Sequence, residues 1–189
     1  MSALFSPAEL ATWLASRTPK QLTRGRAASV LIPLLFTSDD ISVLFMKRPE
    51  DTTLHSGQVS FPGGSREPSD SDEAAAAKRE AFEELGIEPA NVNVLGRLDD
   101  MFTVSNFNIT PVVGQLVDAP VVNPSRVEVA DWFWVSLRAL ADETQWRCEQ
   151  LPWRGEMHET WFFDGAKHLI WGATARIVRD LLEIIREKT

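Results

Sequence analysis

An acid-rich segment with strong helix propensity follows a pair of glycines and constrains the fold of this chain more than any other stretch. It runs from Gly63 to Ile87, and its opening glycines let the backbone turn tightly or approach a ligand closely. The polar residues that follow are typical of a turn before a helix, and Asp70 and Glu73 have the spacing of a capping box. Four alanines then favour helix, and Gly86 suits the left-handed residue that ends many helices. The segment therefore predicts a turn followed by a capped helix.

The predicted helix has two chemically different faces. On a wheel of about 100° per residue, its glutamates fall on one arc and its apolar side chains on another, so we expect one face to be buried. Like charges at this spacing repel, at a cost of about 0.2–0.5 kcal/mol per pair on an isolated helix. The acidic face is either a solvated surface or a set of oxygen ligands for a hard divalent cation such as Mg²⁺, and composition alone leaves both open. The acidic arc holds Glu73, Glu80, Glu83 and Glu84, and the apolar arc holds Ala74, Ala81, Phe82 and Leu85, with Ala77 at the border.

Charge and length limit the kinds of partner that this chain can have. It has 189 residues and a net charge of −8, which argues against nucleic acid or an anionic membrane because both bind basic surfaces. Its one cysteine, Cys148, cannot form an internal disulfide and fits a reducing cytosol. We find neither the apolar core of a signal peptide nor a membrane span. We therefore expect one cytoplasmic domain over residues 1–189, with residues 1–20 as a helical N-terminal extension.

Apolar runs separated by polar turns predict a sheet. Residues 29–36 and 41–46 resemble two core strands joined by a polar turn, and Pro33 favours a bulge or an edge position in the first of them. The Asp164-Gly165 pair suits a type I′ turn and predicts a hairpin between its flanking aromatic runs. Further strands are expected at residues 57–61, 92–98, 109–116 and 127–135.

Helix signals frame these strands. Ser6 and the proline after it are typical of a helix N-terminus, residues 136–141 begin a short helix, and residues 173–187 carry an apolar stripe at helical spacing. Strands that alternate with a central and a terminal helix predict an α/β fold, and specifically an α/β/α sandwich with a mixed β-sheet.

The residues from Arg79 to Ile87, REAFEELGI, resemble the second half of the Nudix box, G-x5-E-x7-R-E-U-x-E-E-x-G-U with U aliphatic. Every fixed position in that half is met, with a small residue, Ala81, at an aliphatic position. The first half departs, because counting back from the arginine puts serines where the box has Gly and Glu. Counting forward from Gly64 reaches Asp70 instead, so the loop holds one extra residue. The Nudix resemblance implies the α/β/α sandwich predicted above.

The segment before the box resembles one branch of this family more closely. Residues 44–48 (LFMKR) and 54–64 (LHSGQVSFPGG) are similar to the leader of coenzyme A pyrophosphatases, whose box also carries the extra residue. Pro49 and Thr53 depart from that leader, and Thr53 replaces an arginine suited to a phosphate contact. The marks of other Nudix specificities are missing: the chain has no Tyr, it has Thr103 in place of the proline typical of ADP-ribose enzymes, and it lacks the NADH motif.

The resemblance implies a set of site residues. A divalent ion, Mg²⁺ or Mn²⁺, would share carboxylates and one backbone carbonyl with the substrate diphosphate and lower the pKa of bound water. Arg79 would orient a carboxylate by a bidentate pair, and the general base would be Glu83 or, from a loop outside the box, Glu128. His55 is expected to be structural. The metal ligands implied are Glu80, Glu84, Glu83 and the carbonyl of Gly63, the catalytic residues are Glu83, Glu84, Arg79 and Glu128, and the candidate substrate contacts are Arg26, Arg48 and Gly64.

Three functions are compatible with these residues. The favoured one is a metal-dependent hydrolase that cleaves coenzyme A or an acyl-CoA to 3′,5′-ADP and (acyl-)4′-phosphopantetheine. The second is a Nudix pyrophosphohydrolase for a nucleoside triphosphate, ADP-ribose or a dinucleotide, and the third is a catalytically silent Nudix-fold binding module. The expected partner is a small nucleotide, and a homodimer is left open. Trp153, Trp161 and Phe162 either stack on an adenine or pack in a core or dimer contact.

Overall fold

A computed structural model describes residues 5–50, 56–153 and 155–189 of the chain, with the side chain of Trp153 left out of the description. The predictions about Thr53, His55 and the Trp153 side chain therefore lie outside the described residues. The described helices are α1 (Pro7–Ala15), α2 (Glu73–Leu85), α3 (Leu137–Leu140) and α4 (Gly172–Arg186), with two single 3₁₀ turns at Pro89–Asn91 and Glu143–Gln145. The described strands are β1 (Arg26–Phe36), β2 (Ile41–Lys47), β3 (Val59–Ser60), β4 (Gly63–Ser65), β5 (Val92–Arg97), β6 (Met101–Phe102), β7 (Phe107–Leu116), β8 (Asp131–Ser136), β9 (Trp146–Trp153), β10 (Glu156–Phe163) and β11 (Ile170–Trp171).

Strands β1 and β7 form the centre of the main sheet. They run parallel, paired from Arg26 opposite Phe107 to Leu35 opposite Leu116. The sheet order is β3-β2-β1-β7-β5, with β4 beside β1, β6 beside β7 and β8 beside β2, and all of these other pairings are antiparallel. The sheet is therefore mixed, as the sequence predicts.

Pro33 lies inside this central strand, opposite Gly114 of β7, so the bulge or edge position predicted for it is wrong. On its other side, β1 pairs with β4 at residues 28–30 and with β2 at residues 34–36. Pro33 falls between these two ladders. A residue without a backbone N–H is tolerated at that point because the ladder on that side is already interrupted.

Two apolar clusters cover the two faces of the sheet. Successive residues of β1 point to opposite faces, so Leu31 packs against α2 while Ile32 joins the cluster formed with α1 and α4. The α2 cluster includes the fully buried Ala77, Ala81 and Leu85. The layers are therefore helix, sheet and helices, which confirms the α/β/α arrangement.

A second sheet, with the order β11-β10-β9, packs beside α4. The two-residue turn predicted at Asp164-Gly165 is wrong. Phe163 pairs with Ile170, so a loop of six residues separates the two strands. The long hairpin is instead formed by β9 and β10, which the sequence analysis missed. Local turn chemistry was present at residues 164–165, but the strand pairing is fixed by packing further away.

The ends of α2 follow local chemistry closely. Its N-cap is Asp72, whose carboxylate accepts the N–H of Ala75 at 2.7 Å, and not Asp70 as the capping-box spacing predicts. At the other end Gly86 has φ +70°, the left-handed conformation predicted for it, and donates to the carbonyl oxygens of residues 81 and 82. The expected strand at residues 127–135 begins later, at Asp131. Among the helices of the described residues, none is long and apolar enough to cross a membrane.

Candidate active site

Helix α2 turns two of its glutamates toward the sheet and the glycine pair. Glu84 is 3% exposed and Glu80 is partly buried, whereas Phe82 is 45% exposed. The helical wheel predicts a buried Phe82 and an exposed Glu84, and both predictions are wrong. The arc that faces the sheet is centred between the acidic and apolar arcs, because the fully buried Ala77, at their border, packs against β1.

Glu84 is held by two donors from different parts of the chain. One carboxylate oxygen accepts the backbone N–H of Gly63 at 2.8 Å, and the other accepts Nη2 of Arg48 at 3.1 Å. Burial removes water from this carboxylate and raises its pKa to about 7, although Arg48 and the Gly63 N–H both act to lower it. Glu84 is thus a buried acid whose negative charge is only partly compensated.

The glycine pair allows α2 and β4 to approach closely. A side-chain carbon at Gly63 would lie 2.4 Å from the carbonyl oxygen of Ser29, and one at Gly64 would lie 2.6 Å from the carboxylate of Glu80. Neither separation is compatible with a real side chain. Gly63 is therefore required for the close pairing of β4 with β1, and Gly64 for the close approach of the Glu80 carboxylate to β4. Both requirements are separate from any contact with a substrate.

Arg48 also reaches the carbonyl oxygen of Gly63, at 3.4 Å from Nη2. Its guanidinium therefore contacts two of the groups that the box resemblance assigns to a metal ion, the Glu84 carboxylate and the Gly63 carbonyl. Sequence reasoning proposed Arg48 as a substrate contact and missed this pairing. The two residues are 36 positions apart, and nothing in the local pattern links them before the fold is known.

Arg79 fixes the turn before α2. Its Nε and Nη2 atoms each donate to Asp70 at 3.1 Å, and Nη2 also donates to the carbonyl oxygen of Ser65 at 3.0 Å. Its Nη1 atom donates to Glu80 at 2.9 Å and to Glu83 at 3.1 Å. The bidentate bond from Arg79 holds the pKa of Asp70 below its ordinary value, and Asp70 in turn holds the pKa of Arg79 above its own. Asp70 is thus the carboxylate that Arg79 orients most closely.

The loop after β7 covers the C-terminal end of α2. The N–H of Ser125 donates to the carbonyl oxygen of Glu84 at 2.8 Å, and the N–H of Asn123 donates to that of Leu85 at 2.9 Å. This loop carries the exposed Glu128. Burial is the main cause that raises the pKa of Glu80 and of Glu84, and the charge of Glu128 raises both further. The fold therefore places Glu128 on a loop that is anchored to the end of α2, the helix that carries these two acids.

Other predicted contacts lie elsewhere. Arg26 stacks on the ring of Phe107, 4.1 Å from its centroid, and it lies four residues along β1 from the partner of Gly63, or about 13 Å of strand. Its substrate role stays a prediction. Trp161 packs edge-on to Trp146, and Phe162 stacks on Trp171, so among their described contacts both rings lie in aromatic packing.

The acids fit a hard divalent cation by their donor chemistry. Glu80, Glu84 and the Gly63 carbonyl offer only oxygen atoms, and the partly compensated burial of the two carboxylates favours a cation beside them. Arg48 already places one positive charge at two of these groups. Within the described part of the chain, however, no three His, Cys, Asp or Glu side chains converge into a ready-made metal cage. Glu80, Glu84 and the Gly63 carbonyl are therefore the groups that would hold such a cation.

Comparison with known proteins gives a consistent result. A family model described as NUDIX domain matches residues 25–159. The chain is 39% identical over 165 residues to Nudix hydrolase 22, chloroplastic, from Arabidopsis thaliana, covering 82% of this chain and 54% of that protein. It is 34% identical over 169 residues to the uncharacterized Nudix hydrolase NudL of Photorhabdus laumondii, covering 89% of this chain and 90% of that protein.

The fold is also shared with a solved structure. The NUDIX hydrolase of Alicyclobacillus acidocaldarius has a TM-score of 0.55 over 86% of this chain and 93% of its own, at 19% sequence identity. The chain spans about half the length of the Arabidopsis relative and most of the Photorhabdus one. On the match to its central 135 residues and on these relatives, the chain belongs to the Nudix family.

Proposed function

We propose that this chain is a divalent-metal-dependent hydrolase of the phosphoanhydride bond in a nucleoside diphosphate derivative, and that its substrate is coenzyme A or an acyl-CoA. One observation carries the proposal. The buried Glu84 and the neighbouring Glu80 lie against the glycine pair, and Arg48 compensates the negative charge of Glu84 only in part. A surface helix would leave these acids in water. Their burial is costly unless a cation compensates it.

Glu80, Glu84 and the carbonyl of Gly63 are the proposed metal ligands, with Glu83 as a further one. When bound there, Mg²⁺ or Mn²⁺ supplies a Lewis acid for the diphosphate oxygens and lowers the pKa of a bound water. The protein positions the carboxylates that would bind the ion. Gly63 donates its N–H to Glu84 and so fixes the carboxylate against the strand that carries the carbonyl. Gly64 leaves the room that Glu80 occupies.

Glu128 is the better supported of the two proposed general bases. Glu83 accepts Nη1 of Arg79 at 3.1 Å, and this ion pair ties the carboxylate to the scaffold that holds the turn before α2. Glu128 lies on a loop anchored at the end of α2 through Ser125, near enough to Glu80 and Glu84 for its charge to act on both. A carboxylate on a loop anchored beside the two acids is suited to accept a proton from a water held there.

The coenzyme A assignment rests on the residues that precede the box. In the described part of that leader, Gln58 to Gly64 lead directly into the site: the Gly63 N–H holds Glu84, and the carbonyl of Pro62 accepts the N–H of Leu31 from β1. Arg48, the leader arginine that is present, contacts Glu84. The alternative is another Nudix substrate, and it is favoured by Thr53 and Pro49, which replace residues usual in that leader.

A panel of substrates tests the proposal directly. Coenzyme A, ADP-ribose, NADH and nucleoside triphosphates would be incubated side by side with the full chain and Mg²⁺ or Mn²⁺, and the products would be separated by ion-exchange chromatography. We expect coenzyme A to give 3′,5′-ADP and 4′-phosphopantetheine with the highest kcat/KM. Clear turnover of another compound without turnover of coenzyme A would assign the alternative, and no turnover of any compound with either metal would support a silent binding module.

A further inference from the structure

Arg48 is the first residue after β2, and its backbone is fixed by neighbours on both sides. Its N–H donates to the carbonyl oxygen of Gln58 at 2.9 Å, and the carbonyl oxygen of Lys47 accepts the N–H of Ala130 at 2.9 Å. The side chain of Arg48 is 26% exposed, so water reaches it. The guanidinium can therefore change its position by rotation of its own side chain while the backbone stays in place.

One nitrogen of Arg48 contacts two oxygens that belong to different elements. Its Nη2 atom donates to Oε1 of Glu84 at 3.1 Å and to the carbonyl oxygen of Gly63 at 3.4 Å. Both groups are among the ligands proposed above for the divalent ion, and the inference rests on that proposed function. A guanidinium and a divalent ion at the same oxygens repel each other, and the repulsion is strong where little water lies between them. The protein therefore keeps an internal cation at groups that the ion also needs.

The contacts of Arg48 are weaker than those of Arg79. Arg79 donates to Asp70 through two nitrogens, each at 3.1 Å. Arg48 contacts Glu84 through one nitrogen, and its separation of 3.4 Å from the carbonyl oxygen of Gly63 lies beyond the usual range of an N–H···O bond. A single contact is given up more easily than a bidentate pair. Arg48 is therefore the arginine of this site that another cation can displace.

We infer that Arg48 contacts Glu84 and Gly63 while the site holds no divalent ion, and that it leaves both groups when the ion binds. In the metal-free protein the guanidinium compensates part of the negative charge of the buried carboxylate. After its release Arg48 is still attached at the end of β2 beside Gly63, where its planar set of donors suits the diphosphate oxygens of the substrate. Arg48 is thus a positioning residue that opposes metal binding and supports substrate binding.

These two roles predict opposite effects of one substitution. Loss of the guanidinium removes a competitor for the ligands of the ion, so the affinity for a divalent ion rises. The same loss removes a donor to the substrate, so KM for the substrate rises. An arginine that only kept Glu84 in place would, when removed, weaken the binding of both.

Binding of Mn²⁺ to the full chain without substrate tests the inference, since electron paramagnetic resonance measures the free ion directly. Wild type would be compared with Arg48→Met, whose side chain has neither charge nor donors. The titration is run at pH 8.5 so that protonation of Glu84, whose pKa is about 7, does not compete with the ion. Arg66→Met is the matched control, because it removes the same charge from a side chain that donates to Glu73 and to the carbonyl oxygen of Ser71. We expect the Kd for Mn²⁺ to fall about tenfold in Arg48→Met and to stay within about twofold of wild type in Arg66→Met.

Kinetics of the same variants give the second readout. With the substrate that the panel identifies and saturating Mn²⁺, KM should rise about tenfold in Arg48→Met and stay at the wild-type value in Arg66→Met. Equal or weaker binding of Mn²⁺ by Arg48→Met than by wild type would overturn the inference and leave the proposed hydrolase in place. If no compound of the panel is hydrolysed, the proposed function fails while the Mn²⁺ titration still decides the competition. Should Arg48→Met not fold, as judged by circular dichroism, Arg48→Gln carries the same comparison.

Discussion

Two arginine–carboxylate pairs hold the segment around the glycine pair, and they differ in what the arginine achieves. Arg79 grips Asp70 with two bonds of 3.1 Å, whereas Arg48 contacts Glu84 with one. Both side chains are 4% exposed, but Asp70 lies in a turn of exposed residues and is covered by Arg79, whereas Glu84 lies among buried residues of α2. The bond from Arg79 lowers the pKa of Asp70, while burial outweighs Arg48 and raises the pKa of Glu84 to about 7.

One short segment thus contains both a structural carboxylate, Asp70, and a reactive one, Glu84. The negative charge of Asp70 is compensated by the guanidinium of Arg79, and its carboxylate also accepts the N–H of Glu67 at 2.8 Å. Asp70 therefore needs no further cation. Glu84 has one arginine nitrogen and one backbone N–H, and Glu80 and Glu128 add negative charge nearby. The depth of burial and the number of donors therefore act together: Glu84 lies deep with few donors, and Asp70 lies near the surface with several.

Glu84→Gln should lose more turnover than any other variant considered for this site. Gln keeps the size of the side chain and can still accept from Gly63, but it cannot offer an anionic oxygen. We expect kcat to fall about a thousandfold, since the charge stabilisation at stake is several kcal/mol, while the far-ultraviolet circular dichroism spectrum stays unchanged. Glu88→Gln, at an exposed position after the same helix, is the control and should keep full activity. Wild-type turnover in Glu84→Gln would remove Glu84 from the mechanism.

Glu128 and Glu83 provide the next contrast, because one is free of the Arg79 network and the other belongs to it. Glu128→Gln should lower kcat about a hundredfold, the usual worth of a general base, with little change in KM. Glu83→Gln should lower kcat less than about tenfold if its main role is the ion pair with Arg79. Steady-state kinetics on both variants measures this. The reverse order of effects would make Glu83 the base.

The scaffold pair predicts a change of stability. Asp70→Asn retains the shape of the side chain but replaces a charged bidentate partner of Arg79, so we expect the free energy of unfolding to drop by about 2 kcal/mol. Urea denaturation at pH 7 would measure it. Arg66→Gln, which removes an ion pair that is one-third exposed on both sides, should change the free energy by less than about 1 kcal/mol. Equal losses in the two variants would remove the distinction drawn for Asp70.

Features that depend on neighbouring residues could be predicted from the sequence, whereas features that depend on tertiary contacts could not. The body of α2 and its end at Gly86 were predictable, because alanine propensity and the left-handed glycine act within a few residues. The N-cap was misplaced by two positions, since Asp70 and Asp72 are both good caps and only the tertiary contact with Arg79 decides between them. The wheel could not show which arc would meet the sheet.

The site followed the same rule. The candidate acids Glu80 and Glu84 were named from the box resemblance, and the fold brings both to the glycine pair. The bond between Arg48 and Glu84 could not be predicted, because it spans 36 residues and joins the residue after β2 to α2. The β9–β10 hairpin was missed for a related reason: its charged, partly exposed residues give no clear alternation, and its inner aromatic side chains pack against α4.

The smallest effect is a pH dependence of opposite sign for the two acids, measured without metal in the presence of a chelator. For Glu84 the folded pKa of about 7 lies above the ordinary value of 4.5. The folded state therefore holds the proton more tightly, and the stability contributed by Glu84 falls as pH rises from about 4.5 to 7. For Asp70 the folded pKa lies below the ordinary value of 3.8, so its contribution is present above that value and is lost as pH falls through the folded pKa. Relative to wild type, the free energy of unfolding of Glu84→Gln should accordingly rise by about 1 kcal/mol between pH 6 and 8, whereas that of Asp70→Asn should not change over that range. A Glu84→Gln difference that stays constant with pH would mean that Arg48 compensates Glu84 as fully as Arg79 compensates Asp70.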